Sequence, residues 1–75
     1  MAYRLSPQML KEIGLRIKRA RKAQKRRAID VALQSGVEPS YYTKLENGKA
    51  KRPSLQKIYA VCRTLNLNSK DILTF

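Results

Sequence analysis

The sequence predicts an all-α fold, a compact bundle of five helices, on three observations. Apolar residues recur at three- and four-residue spacing and nowhere alternate as a strand would. Serine and proline start signals alternate with glycine or asparagine stop signals at helix-length intervals. The 75 residues include one cysteine and no histidine, so neither an internal disulfide nor the usual nitrogen and sulfur metal ligands can staple the chain. A chain of this size holds one hydrophobic core, and residues 1–75 are expected to form a single domain held by helix packing, with a self-partner to cover leftover apolar surface.

Helix one starts at Ser6-Pro7, a cap followed by proline at the first helical position, and runs to about Gln24 with Leu10, Ile13 and Ile17 recurring at three- and four-residue spacing. Helix two is short, Ala28 to Gln34, with Val31 and Ala32 inward, and Ser35-Gly36 stops it with a glycine able to take positive φ. Val37 re-enters the core. Helix three spans Pro39 to Glu46, with the Glu38 carboxylate favourable at the positive end of the helix dipole, and ends at Asn47-Gly48. The next segment, KAKRP, is too polar and proline-bounded to continue a helix and reads as a basic loop. Ser54 caps helix four, where Leu55, Ile58, Val61, Cys62 and Leu65 form an apolar stripe and Asn66 suits a left-handed end. Ser69 caps a last short turn, KDIL, and Ile72, Leu73 and Phe75 close the chain.

Seventeen Lys and Arg against five Asp and Glu give a net charge of +12, a self-repulsion that a polyanion would neutralise. Eight of the twelve residues from Arg16 to Arg27 are basic, which reads either as a solvated face or as a polyanion contact. Nucleic acid is the expected partner, and a membrane is not: no apolar run approaches transmembrane length, and the apolar residues follow the period of a globule. The start, MAYRLSPQMLKE, lacks the apolar stretch of a secretory signal, so an untargeted cytoplasmic protein is expected, in keeping with a lone free thiol. Neither metal nor cofactor is expected. An enzyme is disfavoured: without histidine, with one cysteine read as buried and with no pair of acids at helical spacing, no convincing general acid-base or nucleophile set can be assembled. Cys62 reads as a buried structural thiol in preference to a redox switch, since no resolving cysteine accompanies it.

Two short helices separated by a glycine-containing turn, the second followed by a basic loop, over about residues 28–46, meet the physical requirement for reading double-stranded DNA. The major groove, about 12 Å wide, admits one helix while flanking amides and cations hold the phosphates. From about Gly14 to Leu73 the sequence resembles the helix-turn-helix domain of the lambdoid phage repressor and Cro family, which includes restriction-modification controller proteins and antitoxins. Its most specific part is Leu45-Glu46-Asn47-Gly48-Lys49 followed by Lys51-Arg52-Pro53.

The resemblance implies a role for each matching position. Ser40 and Lys44 fall where helix three presents side chains to base edges, with Pro39 and Thr43 beside them. Lys44 suits the O6 and N7 of guanine, or else meets a phosphate. Tyr42 takes an inward slot, and Tyr41 a position that often touches the DNA backbone. The adjacent tyrosines could instead form a stacking platform for single strands, although on a helix they point about 100° apart. Asn47, Lys49, Lys51 and Arg52 match positions that surround phosphates, contacts that set affinity and register without reading sequence. Arg21 and Glu46 align with a partly buried ion pair between helices one and three.

The chain departs from the family at the start of helix two. Arg26 stands where an apolar residue is usual, Arg27 replaces the Ser or Thr cap, and Ala28 replaces a phosphate-anchoring glutamine. Arg26 or Arg27 is expected to reach the phosphate instead, Arg26 with its aliphatic stem in the apolar slot. Ile29 and Leu33 are apolar where the family is mostly polar, and form either an exposed stripe for a protein partner or the sign of a rotated helix.

The favoured reading is a Cro-like repressor or related transcriptional regulator of the kind carried by phages or plasmids. It would bind an inverted-repeat operator as a homodimer, with a dimerisation segment over about residues 65–75 and Leu67, Ile72, Leu73 and Phe75 as the dimer face. On a length of 75 residues no ligand-sensing or self-cleaving domain is expected beside it. The competing readings are a protein-interaction module such as an antitoxin, bound through Ile29 and Leu33, and a nonspecific nucleic-acid-binding protein.

Overall fold

The computed structural model of the chain describes residues 6–51 and 53–72; Arg52, Leu73 and Phe75 lie outside them. All five expected helices are present: α1 (Pro7–Ala23), α2 (Ala28–Ser35), α3 (Pro39–Glu46), α4 (Leu55–Thr64) and α5 (Ser69–Ile72). No strand occurs among the described residues.

The starts of α1 and α4 follow the sequence signals. Ser6 Oγ accepts from the Met9 N–H at 3.1 Å and Ser54 Oγ accepts from the Lys57 N–H at 3.4 Å, each satisfying an orphan donor of a first turn. The ends share one device. A residue at positive φ turns the chain back (Lys25 at 56°, Gly36 at 73°, Gly48 at 70°, Asn66 at 56°) after α1, α2, α3 and α4 respectively. The next N–H then donates to a carbonyl five residues earlier: Arg26 to Arg21, Val37 to Ala32, Lys49 to Lys44 and Leu67 to Cys62, at 3.2, 2.9, 2.8 and 2.8 Å.

The core gathers inward residues from every helix: Ile13 and Ile17 of α1, Val31 and Ala32 of α2, Tyr42 and Leu45 of α3, Ile58, Val61 and Cys62 of α4, and Ile72 of α5. Val37 and Leu65 join from the helix junctions, and Ala50 pins the basic loop after α3 by its buried methyl. The Cys62 thiol is held above its ordinary pKa by burial, so the reactive thiolate is disfavoured.

Three expectations are corrected. Leu55 is 49% exposed: it lies three residues, about 300° of helical rotation, before the inward Ile58, short of a full turn, and so falls on the flank of α4. The side chain capping α5 is that of Asn68, whose Oδ1 accepts from the Lys70 N–H at 3.1 Å, while Ser69 is already helical. Ile72, expected on the dimer face, is buried in the protomer's own core, and Leu67 packs half-buried against that core. Arg16 ties this end of the chain to α1 by donating to the carbonyls of Ile72 and Asp71 at 3.1 and 3.2 Å.

Candidate nucleic-acid interface

α3 is held by its inner face and left open on its outer one. Its C-terminus is pressed against α1 at Gly14, where a Cβ would stand 2.3 Å from the Leu45 carbonyl oxygen and 2.5 Å from that of Glu46. Gly48 repeats the close approach one turn away: a Cβ there would lie 2.8 Å from Lys11 Cα, on a backbone already at positive φ. Two glycines thus let helix backbones approach where any side chain would force them apart.

Across the same junction Arg21 and Glu46 form a two-pronged ion pair, Nε to Oε2 at 2.6 Å and Nη2 to Oε1 at 3.2 Å. Glu46 is 8% exposed. The hydrogen bond to Glu46 is the main reason the Arg21 pKa is raised, with burial opposing it. Arg21 Nη1 also donates to the Arg26 carbonyl at 2.9 Å, so one side chain ties α1, the α1–α2 turn and the end of α3.

Pro39, Ser40, Thr43 and Lys44 all lie on the exposed face of α3. Thr43 Oγ1 donates to the Pro39 carbonyl at 3.0 Å, which uses its hydrogen within the helix and leaves an acceptor and a methyl group outward. Tyr42 points the other way and is fully buried. Its hydroxyl makes no hydrogen bond among the described residues, and its pKa is raised, by burial first and then by the neighbouring Glu46 carboxylate. Tyr41 is half-buried beside it, its Oη accepting from the Ser54 N–H at 3.2 Å, which stitches α3 to the start of α4. The two rings therefore do not form one stacking platform.

Asn47, Lys49 and Lys51 are exposed around the α3–α4 junction. Between α3 and the start of α4 an open groove of about 460 Å³ is lined by Glu38, Ser40, Tyr41, Lys44, Lys51 and Lys57. Nothing in the sequence marks Lys57, because a lysine three residues after a serine cap carries no ligand signal of its own.

The two arginines before α2 divide. Arg27 stands at the cap position without capping by its side chain, and its exposed guanidinium pairs with Asp30 at 2.9 and 3.3 Å. That pairing raises its pKa. Arg26, expected at a phosphate, is committed to the fold. Its guanidinium donates to the Thr64 carbonyl at 2.7 Å, to Gln24 at 3.4 Å and to Gln34. Gln24 Nε2 adds a bond to the Leu65 carbonyl at 2.7 Å, so the α1–α2 turn satisfies the orphan carbonyls of α4. Ile29 and Leu33 are 49% and 65% exposed while Val31 and Ala32 are buried, so α2 is not rotated to bury its apolar pair.

Among the described residues no helix is long and apolar enough to cross a membrane, and no group of His, Cys, Asp or Glu is arranged to hold a metal ion. No curated protein matches the chain. A family model described as helix-turn-helix matches residues 17–72, from within α1 through α5. With a short helix, a glycine turn and an open-faced second helix at its centre, the chain belongs to the Cro/repressor-type helix-turn-helix family of DNA-binding regulators.

Proposed function

We propose that the protein is a sequence-specific regulator that binds an inverted-repeat operator as a homodimer, one α3 entering the major groove of each half-site. The observation that carries this reading is the outer face of α3. Ser40, Thr43 and Lys44 are exposed together on a helix whose inner face is fixed by Gly14, Tyr42 and the Arg21–Glu46 pair. A rigid helix with a polar, cationic outer face is what base readout requires. Lys44 favours a guanine, and the outward Thr43 methyl suits a thymine methyl. Asn47, Lys49 and Lys51 hold phosphates, Arg52 is assigned the same role by the family resemblance, and Arg27 adds a further contact by exchanging Asp30 for DNA. Self-association draws on Leu67, Leu73 and Phe75 without Ile72. A cytoplasmic location is in keeping with this activity.

Selection of bound sequences from a random duplex library at near-physiological salt tests the reading. A two-fold symmetric site bound on the order of 10³-fold tighter than a scrambled duplex is expected. Equal binding to all duplexes would replace it with nonspecific packaging. Sedimentation with and without the selected site checks the dimer.

A second reading has its own observation. Ile29 and Leu33 leave an apolar stripe outward on α2, spaced by four, which suits a protein partner such as a toxin. An Ile29→Ser, Leu33→Ser variant that keeps operator affinity and loses a co-purifying protein would support it.

A further inference from the structure

We propose that the groove between α3 and α4 seats one backbone phosphate of the duplex, and that Lys57 is the residue of α4 that holds it. This rests on the DNA-binding reading above and adds a contact to it. Three lysines, Lys44, Lys51 and Lys57, line the groove against one acid, Glu38. None of the three makes an ion pair among the described residues. Three ammonium groups around one open space repel one another, and an anion between them relieves that repulsion. The groove shares Ser40 and Lys44 with the outer face of α3, so an anion lying in it borders the base-reading side chains, as a backbone phosphate does and a detached ligand need not.

Lys57 is held in place to make that contact. Its Nζ lies 4.5 Å from the centre of the Tyr41 ring, a cation–π contact that restrains an otherwise mobile side chain. The ring is itself anchored, since Tyr41 Oη accepts from the Ser54 N–H at 3.2 Å. Lys57 is the third residue of α4, where the positive end of the helix dipole adds to its charge. Tyr41 therefore works as a support for the lysine, fixing a cation at the edge of the groove.

The test compares wild type with Lys57→Met, which keeps the aliphatic stem over Tyr41 but removes the charge, and Lys57→Arg, which keeps the charge. Each is titrated by fluorescence anisotropy against the selected operator and a scrambled duplex across a salt series, with thermal melts alongside. Lys57→Met is expected to weaken both duplexes by one factor, leaving their ratio unchanged. Its log–log salt slope becomes less negative by about 0.9, so the wild-type advantage shrinks about 3.5-fold between roughly 50 and 200 mM salt. Lys57→Arg keeps the wild-type slope. A wild-type slope in folded Lys57→Met overturns the proposal, and so does a loss confined to the operator, which would make Lys57 a base reader. A lower melting temperature with no slope change assigns it to packing and overturns the proposal as well. If wild type itself shows no salt-dependent duplex binding, the functional reading fails and this contact with it.

Discussion

At the scale of single residues, the buried polar groups of α3 separate structural charge from functional charge. Glu46 and Arg21 lie side by side at low exposure, so removing either leaves the other desolvated without its partner. Glu46→Ala is expected to cost about 3 kcal/mol, the lower end for a buried pair because Arg21 keeps some access to water, and to weaken DNA binding through the displaced α3. An unchanged melting temperature would refute the structural role. Tyr42 presents the opposite case, a buried hydroxyl with no hydrogen bond to lose. Tyr42→Phe should leave stability unchanged or raise it by up to about 1 kcal/mol. The phenol is held neutral, its folded pKa above the ordinary 10.0 of the unfolded chain. The unfolded state therefore releases the proton first. Stability is whole below about pH 10 and falls as pH rises beyond it, a decline that Tyr42→Phe should reduce in urea melts between pH 9 and 11. Arg27 differs from both in being exposed, with a guanidinium shared only with its neighbour Asp30. Arg27→Ala should make the salt slope of DNA binding less negative by about 0.9 with an unchanged melt; an unchanged slope removes Arg27 from the interface.

At the scale of elements, helix ends were the most legible feature and side-chain destinations the least. Ser6-Pro7, Gly36, Gly48, Ser54 and Asn66 each act within a few residues along the chain, and the start of α1, the ends of α2 and α3 and both ends of α4 follow from them. Leu55, Ile72 and Arg26 depend on which element lies across from them. Leu55 fits the helical spacing yet falls on the flank of α4, and Arg26 finds its acceptor 38 residues away, at Thr64. In the candidate site, the outer face of α3 could be read from spacing and family resemblance, whereas the groove wall contributed by Lys57 exists only once α4 packs beside Tyr41. Gly14 shows the same limit. As a glycine inside α1 it reads as a mild defect, since glycine weakens a helix interior. Packing reverses that sign, because the added methyl of Gly14→Ala would meet backbone oxygen atoms that cannot step aside. Overpacking against two carbonyls is expected to destabilise by about 2–3 kcal/mol, although alanine is the better helix former. A Gly14→Ala variant as stable as wild type in denaturant melts would refute a close approach of α1 and α3 at Gly14.

At the scale of the whole molecule, salt acts on two free energies with opposite sign. A net charge of +12 on 75 residues stores self-repulsion in the compact state. The three ion pairs among the described residues, Arg16–Glu12, Arg21–Glu46 and Arg27–Asp30, offset only part of it. Two of these pairs are solvent-exposed and weak, while the third is largely shielded from solvent and little affected by ions. The long-range repulsion among the remaining cations is the larger salt-sensitive quantity. Raising salt from about 50 to 500 mM shortens the Debye length from about 14 to about 4 Å, so the melting temperature of the free protein should rise. Duplex DNA relieves the same repulsion by supplying phosphates, and binding that favours the native state also raises the melting temperature by mass action. That second stabilisation must fade as salt displaces the protein from DNA. The melting curves of free and DNA-bound protein should therefore converge with increasing salt, one rising and the other falling. A melting temperature of the free protein that falls with salt would show that exposed ion pairs outweigh net repulsion, and that the fold is not waiting for a polyanion to complete its electrostatics.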